Sequence, residues 1–280
     1  ISPELEKTVL MRRYNMVMRD LFGRYNRLGE LIASSRGRIT PATAAAFMGD
    51  RLDIVTRTER ATGITVGAAN NVTSAVFVPE DGVVWMAAGV EPACDGVFYG
   101  FDVRAELAGT APRKLRALPG YAWKDRSKRK GLGHFMKAYA GHEENPFDTA
   151  EIMTHLDAAI ALDPREPIYL RLKASLMLSS GTYKEAVTLL EKSLNMPQSN
   201  SERAHALLLA GQGLDLMGER DRAVARYRMA EALHAAHGRD FLNGVNGMLA
   251  AFCKKYIDSP FTAKQIADIP IAFSSESGIE

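Results

Sequence analysis

The chain has 280 residues, which at about 150 residues per domain allows one or two domains. Charged residues make up 24% and hydrophobic residues 46%, an ordinary globular composition. Thirty-five Lys and Arg face 33 Asp and Glu, and the resulting net charge of +2 argues against a dedicated binder of nucleic acid or another polyanion. The only two cysteines, Cys94 and Cys253, exclude a disulfide framework and a cysteine-based zinc site. No apolar run reaches the roughly 18 residues of a membrane span. Residues 1–22 are amphipathic and charged with no apolar core, so they do not read as a signal peptide. With Ile at position 1, the stretch reads as the interior of a larger protein. A soluble protein of the cytoplasm or the periplasm is expected.

In chain order, Ser2-Pro3-Glu4 signals a helix start, because Ser caps free amides, Pro fits the first turn and Glu suits the positive dipole end. Leu5, Val9, Tyr14, Val17 and Leu21 continue the helical spacing, and Gly23 is expected to interrupt it. Tyr25, Leu28, Leu31 and Ile32 mark a second helical stretch. Thr40-Pro41 repeats the cap-plus-proline signal before an alanine-rich helix. Strands are expected at Ile64–Ala68, Val72–Val78, Val83–Ala88 and Val97–Val103. Pro79-Glu80-Asp81-Gly82 turns the second of these into the third as a hairpin. Helices followed by an antiparallel sheet give an α+β class for residues 1–110.

Residues 111–146 are rich in Pro, Gly and basic side chains, with Tyr121 and Trp123 among them. They read as a basic linker, with a docking strip for an acidic partner or phosphate groups as the sharper alternative. Gly131-Leu132-Gly133 lacks phosphate-loop spacing. Residues 147–270 read as almost pure helix, ahead of a tail at 271–280. When Gly181 is aligned with Gly218, Ala174 falls on Gly211, Ala186 on Ala223, Leu190 on Tyr227 and Ser193 on Ala230. These are the small and large positions of a tetratricopeptide repeat. The surplus over the usual repeat length fits the loop at Pro197–Asn200. Ile152, Leu156, Ala159 and Pro164 match the second helix of a preceding unit, and Phe241–Ile257 a further first helix. Stacking is required because one helix pair cannot bury its apolar face alone. The inner groove of such an array would be lined by Arg171, Ser175, His205 and Gln212, a candidate surface for a protein or peptide ligand.

Two stretches, GRYNRLGELIASSRGRITPATAAAFMGDRLD (23–53) and NNVTSAVFVPEDGVVWMAAGVEPACDGVFYGFDV (70–103), together resemble the C-terminal half of the acyl-coenzyme A:6-aminopenicillanate acyltransferase-like family. That family belongs with the choloylglycine hydrolases and penicillin acylases among the N-terminal nucleophile hydrolases. The resemblance implies the C-terminal part of a four-layer αββα sandwich, here followed by the all-α array. It also implies a catalytic Cys freed by self-cleavage, whose own α-amine serves as base for attack on an amide C–N bond. Neither Cys94 nor Cys253 fits that position; both read as buried structural thiols. The nucleophile is therefore expected on an N-terminal fragment outside this chain, which becomes the expected partner, and no cofactor is expected.

The resemblance carries Arg24, in Gly23-Arg24-Tyr25, toward the role of holding the Cys as thiolate; a surface helix residue is the alternative. Asn70 or Asn71 would donate to a developing oxyanion, or simply make the turn before the strand. His234 and His237 stand three apart on an expected helix, but no third ligand is evident and no metal site is assigned. His142-Glu143-Glu144 reads as a charged loop. Beside the amidohydrolase or acyltransferase reading stands a non-catalytic scaffold acting through the repeats.

Overall fold

Helix α1 (Asn15–Ser34) runs unbroken through Gly23, where the sequence predicts an interruption. The reason is spatial. A Cβ at Gly23 would lie 2.0 Å from the Cγ2 methyl of Ile64, so the missing side chain lets a loop press against the helix. The structure, a computed structural model, describes residues 15–146, 148–235 and 245–269. The expected helix start at Ser2-Pro3-Glu4 and the tail 271–280 lie outside the described residues. Among the described residues the chain is mostly helical, with one small antiparallel sheet. It divides into two compact units, 23–132 and the rest.

In the first unit, Thr40 and Thr43 cap α2 (Pro41–Met48) reciprocally, with Pro41 in the first turn, as the sequence suggests. The irregular stretch 49–74 leads to β1 (Ala75–Val78), β2 (Val83–Ala88) and, after a 3-10 turn (Ala93–Asp95), β3 (Val97–Asp102). A short helix α3 (Val103–Ala108) follows. The three later strand expectations and the hairpin are present; the strand expected at Ile64–Ala68 is not. There the backbone is satisfied locally, with the Ile64 N–H donating to Asp53 Oδ2 at 2.7 Å and the Thr65 hydroxyl to the Gly67 carbonyl at 2.7 Å.

The strands are ordered β1-β2-β3, all antiparallel. Val76, Val78, Val83, Trp85, Ala87 and Phe98 fall on one face, which packs with Ala44, Ala45 and Met48 of α2. Residues 111–125 strap this core. Phe98 and Leu118 exchange backbone hydrogen bonds of 2.8 Å, and Trp85 Nε1 donates to the Arg116 carbonyl at 3.1 Å. Asp102 caps α3 and receives Arg113 Nε at 2.5 Å; the guanidinium holds the carboxyl well below its usual range, at about 2. The rest of the expected linker is helical, as α4 (Arg126–Glu144).

The second unit is a run of antiparallel helices, each packed on the next: α5 (Thr149–Leu162), α6 (Pro167–Ser179), α7 (Tyr183–Leu194), α8 (Asn200–Leu216), α9 (Arg220–Ala235) and α10 (Val245–Asp258). The sequence alignment matches the geometry. Gly181 and Gly218 both take the left-handed conformation, at φ 87° and 78°. Behind each, the next amide reaches back five positions: Thr182 N–H to Met177 O at 2.8 Å, and Glu219 N–H to Leu214 O at 2.9 Å. That is the same helix-ending motif used twice in register. Ala174, Ala186, Leu190, Ala223, Tyr227 and Ala230 are fully buried in one core. The chain beyond α10 returns to the second turn. The buried Asp215 carboxylate accepts from Arg220, from the Tyr227 hydroxyl at 2.9 Å and from the Phe261 N–H at 2.8 Å.

A Cβ at Gly211 would lie 2.4 Å from the Tyr227 ring. Gly211→Val should therefore destabilise the chain by about 1–3 kcal/mol, as overpacking does, read as a lowered urea midpoint. Gly29→Ala, at a helical site with nothing within 4 Å of the new methyl, should raise stability by about 0.5–1 kcal/mol. Equal effects at the two sites would contradict the packing account.

Candidate functional site

Three residues of Gly49-Asp50-Arg51-Leu52-Asp53 are buried and charged, and they organise the loop 49–74. Arg27 of α1 grips both Asp50 oxygens, Nε to Oδ1 at 2.8 Å and Nη2 to Oδ2 at 2.9 Å. Asp53 accepts three backbone amides, those of Val55, Thr56 and Ile64. Arg51 has no exposed surface. Its Nη1 donates to the Gly67 carbonyl at 2.7 Å, and its Nη2 lies 3.3 Å from Asp95 Oδ1 and 3.8 Å from Cys94 Sγ. The guanidinium carbon sits 5.1 Å from the centre of the Trp123 ring, whose Nε1 donates to the other Asp95 oxygen at 2.8 Å. A buried cation thus has a carboxylate, a π-face and carbonyl acceptors.

Cys94 belongs to this cluster and has no exposed surface. Burial pushes its thiol up to about 11; Arg51 opposes the shift and Asp95 adds to it. Cys253, inside the helical core, is pushed up to about 12 by burial first. Neither is a thiolate at neutral pH, as expected of structural thiols. The cluster is a closed anchor rather than an open reaction site. It sets the path of loop 49–74 beneath the 3-10 turn that leads into β3.

The residues singled out from sequence take these positions. Arg24 is half-buried on α1. Asn71 is tied to the Cys94 turn: its Oδ1 accepts the Cys94 N–H at 3.0 Å and the Ser74 hydroxyl at 3.1 Å, while its Nδ2 donates to the Thr73 carbonyl at 3.0 Å. That amide makes the turn; the Thr73 carbonyl takes one of its two Nδ2 hydrogens, which leaves a single N–H for an oxyanion. Asn70 is exposed one residue earlier. Arg171 and Ser175 stand one turn apart on α6, His205 and Gln212 two turns apart on the adjacent α8. The four are only 2%, 2%, 5% and 1% exposed. A peptide cannot reach them in this structure, so they do not form an open groove. His142-Glu143-Glu144 closes α4 instead of forming a loop. His237 and the His234 side chain lie outside what the structure describes.

Sequence reasoning missed Arg51 and Asp95, since an Arg between two Asp residues reads as surface. Among the described residues no three His, Cys, Asp or Glu side chains converge for a metal ion. Among them, too, no helix is long and apolar enough to cross a membrane. No known family model matches the chain, and no curated protein matches it.

Removing the Arg51 cation leaves Asp95 buried and short of its charge partner, so Arg51→Ala should cost about 3–5 kcal/mol, measured by denaturant unfolding. Because burial raises both thiol values, the folded chain holds neutral thiols at pH 8. Each should resist an aromatic disulfide reagent until the unit that buries it unfolds in urea. Fast reaction of either thiol in the folded chain would contradict their burial.

Proposed function

We propose that this chain is the C-terminal part of a self-processing N-terminal nucleophile amidohydrolase or acyltransferase. It would act on an amide C–N bond through a Cys supplied by a segment outside these residues. The observation that supports this reading is the second face of the sheet, most of whose apolar side chains are exposed around a buried Val84. In register across the strands, Ala75, Met86 and Tyr99 form one row, Phe77, Val84 and Phe101 a second, and Ala88 and Val97 a third. Phe77 is 70% exposed, Tyr99 51%, Phe101 47%, Met86 45% and Val97 42%. An antiparallel sheet with one solvated face ordinarily alternates apolar and polar residues; this one is apolar on both faces. Such a face suits a second sheet stacked about 10 Å away, as the four-layer αββα arrangement requires. Covering it would exclude water from a large apolar patch of the kind that marks interaction surfaces.

In this reading the chain contributes a scaffold, and the reacting thiol and its α-amine arrive with the other sheet. Arg24 remains the candidate for electrostatic support of the thiolate. Asn70, with its exposed side chain, remains the better of the two Asn candidates for an oxyanion donor. The repeat array packs its own core, and its expected groove residues are buried, so the scaffold-only reading gains no support from them.

The test is to co-produce this chain with the polypeptide encoded directly upstream of it and to follow cleavage by intact mass and N-terminal sequencing. The expected result is a new N-terminal Cys and recovery of both pieces as one complex. Phe77→Lys in this chain should leave its own unfolding midpoint within about 0.5 kcal/mol, as an exposed substitution does, yet abolish the complex. An uncleaved precursor with no Cys at a new terminus would remove the proposal.

A further inference from the structure

His134 of α4 and His155 of α5 bring their Nδ1 atoms to 3.3 Å, with ring centres 5.5 Å apart and planes tilted by 44°. Both rings are partly open to solvent. On the far side of one ring, His155 Nε2 faces a Glu151 carboxylate oxygen at 3.9 Å, one turn away on the same helix. We infer that His134 and His155 form a two-histidine site for a divalent transition metal ion, for which Zn2+ is the probe.

The spacing is the first argument. Two imidazole nitrogens bound tetrahedrally to zinc at about 2.0–2.1 Å stand about 3.3 Å from each other, which is the separation already present. The second is the Glu151 carboxylate behind His155, at 3.9 Å one side-chain adjustment short of a hydrogen bond. Ligating histidines commonly offer their other ring N–H to a carboxylate, which fixes the tautomer and leaves the remaining nitrogen's lone pair for the metal. Imidazole ligands select the zinc, copper and nickel class over magnesium or calcium.

Without metal, the short Nδ1···Nδ1 approach accommodates one N–H···N hydrogen bond. On binding, that proton moves through solvent to the Nε2 of the same ring, and both Nδ1 lone pairs turn to the ion. No net proton is released from two neutral rings. Since no third His, Cys, Asp or Glu converges there among the described residues, water completes the coordination. The ion would clasp α4 to α5. Lys137, one turn along α4, opposes a cation there and keeps the site weak. This inference does not depend on the proposed amidohydrolase role.

The experiment is calorimetric titration of the full chain with ZnCl2 in a non-coordinating buffer near pH 7.5, with thermal unfolding followed in parallel. One equivalent should bind and raise Tm. His134→Ala and His155→Ala should each weaken binding at least about tenfold and abolish the Tm rise, and Glu151→Gln should weaken it several-fold. His234→Ala combined with His237→Ala should leave binding intact. Binding lost only in that last variant, or no tighter in the unsubstituted chain than in the His134→Ala/His155→Ala double variant, would overturn the inference. If either single variant loses its fold in chelator, the unsubstituted chain still decides. Substoichiometric Cu2+ should broaden the ring-proton resonances of His134 and His155 before those of the other four histidines; any other order refutes the site.

Discussion

Taking the Arg51 guanidinium out of water costs several kcal/mol, and the irregular part of the first unit is arranged around offsetting that loss. The acceptors come from far along the chain, the Gly67 carbonyl and the Asp95 carboxylate, and Trp123 covers the ring of charge. Each partner is itself held. Asp95 is shared with Trp123 Nε1, the neighbouring Cys94 amide is held by Asn71, and Asn71 takes the Ser74 hydroxyl just before β1. A loop with almost no regular structure is therefore fixed at both ends of the sheet. Such networks resist partial disruption, because losing one member leaves another charge or amide buried without its partner.

The two units solve the burial problem differently. In the array, each helix covers the apolar stripe of its neighbour; Ala174, Ala186, Ala223, Leu190 and Tyr227 share one buried core, and Gly211 makes room for the Tyr227 ring. Completion comes from repetition. The sheet has only three strands and two apolar faces, and α2 with the 111–125 strap covers one of them. This imbalance supports reading the first unit as part of a larger layered body, while the array closes its own core.

What the sequence made legible is what depends on neighbours along the chain. Thr40-Pro41, the Pro79–Gly82 hairpin and the paired Gly181 and Gly218 turns rest on local backbone rules, and the repeat alignment rests on periodic size. What it hid depends on contacts between distant segments. Gly23 looks like a helix breaker until Ile64 is placed against it. Ile64–Ala68 has β-branched composition, but Asp53 captures its first amide. Arg51 reads as a surface charge because its partners lie 16 and 44 residues away. Spacing did not reveal that Arg171 and His205 are buried. His134 and His155, 21 residues apart on different helices, have no sequence signature at all.

The return of the chain to Asp215 has a consequence for how the array could change in length. Phe261 is buried and its amide is held by the carboxylate that also takes Arg220 and Tyr227. The polypeptide after α10 acts as a stopper wedged against the last turn. A duplicated hairpin inserted after α10 would have to expel that stopper and strand Asp215.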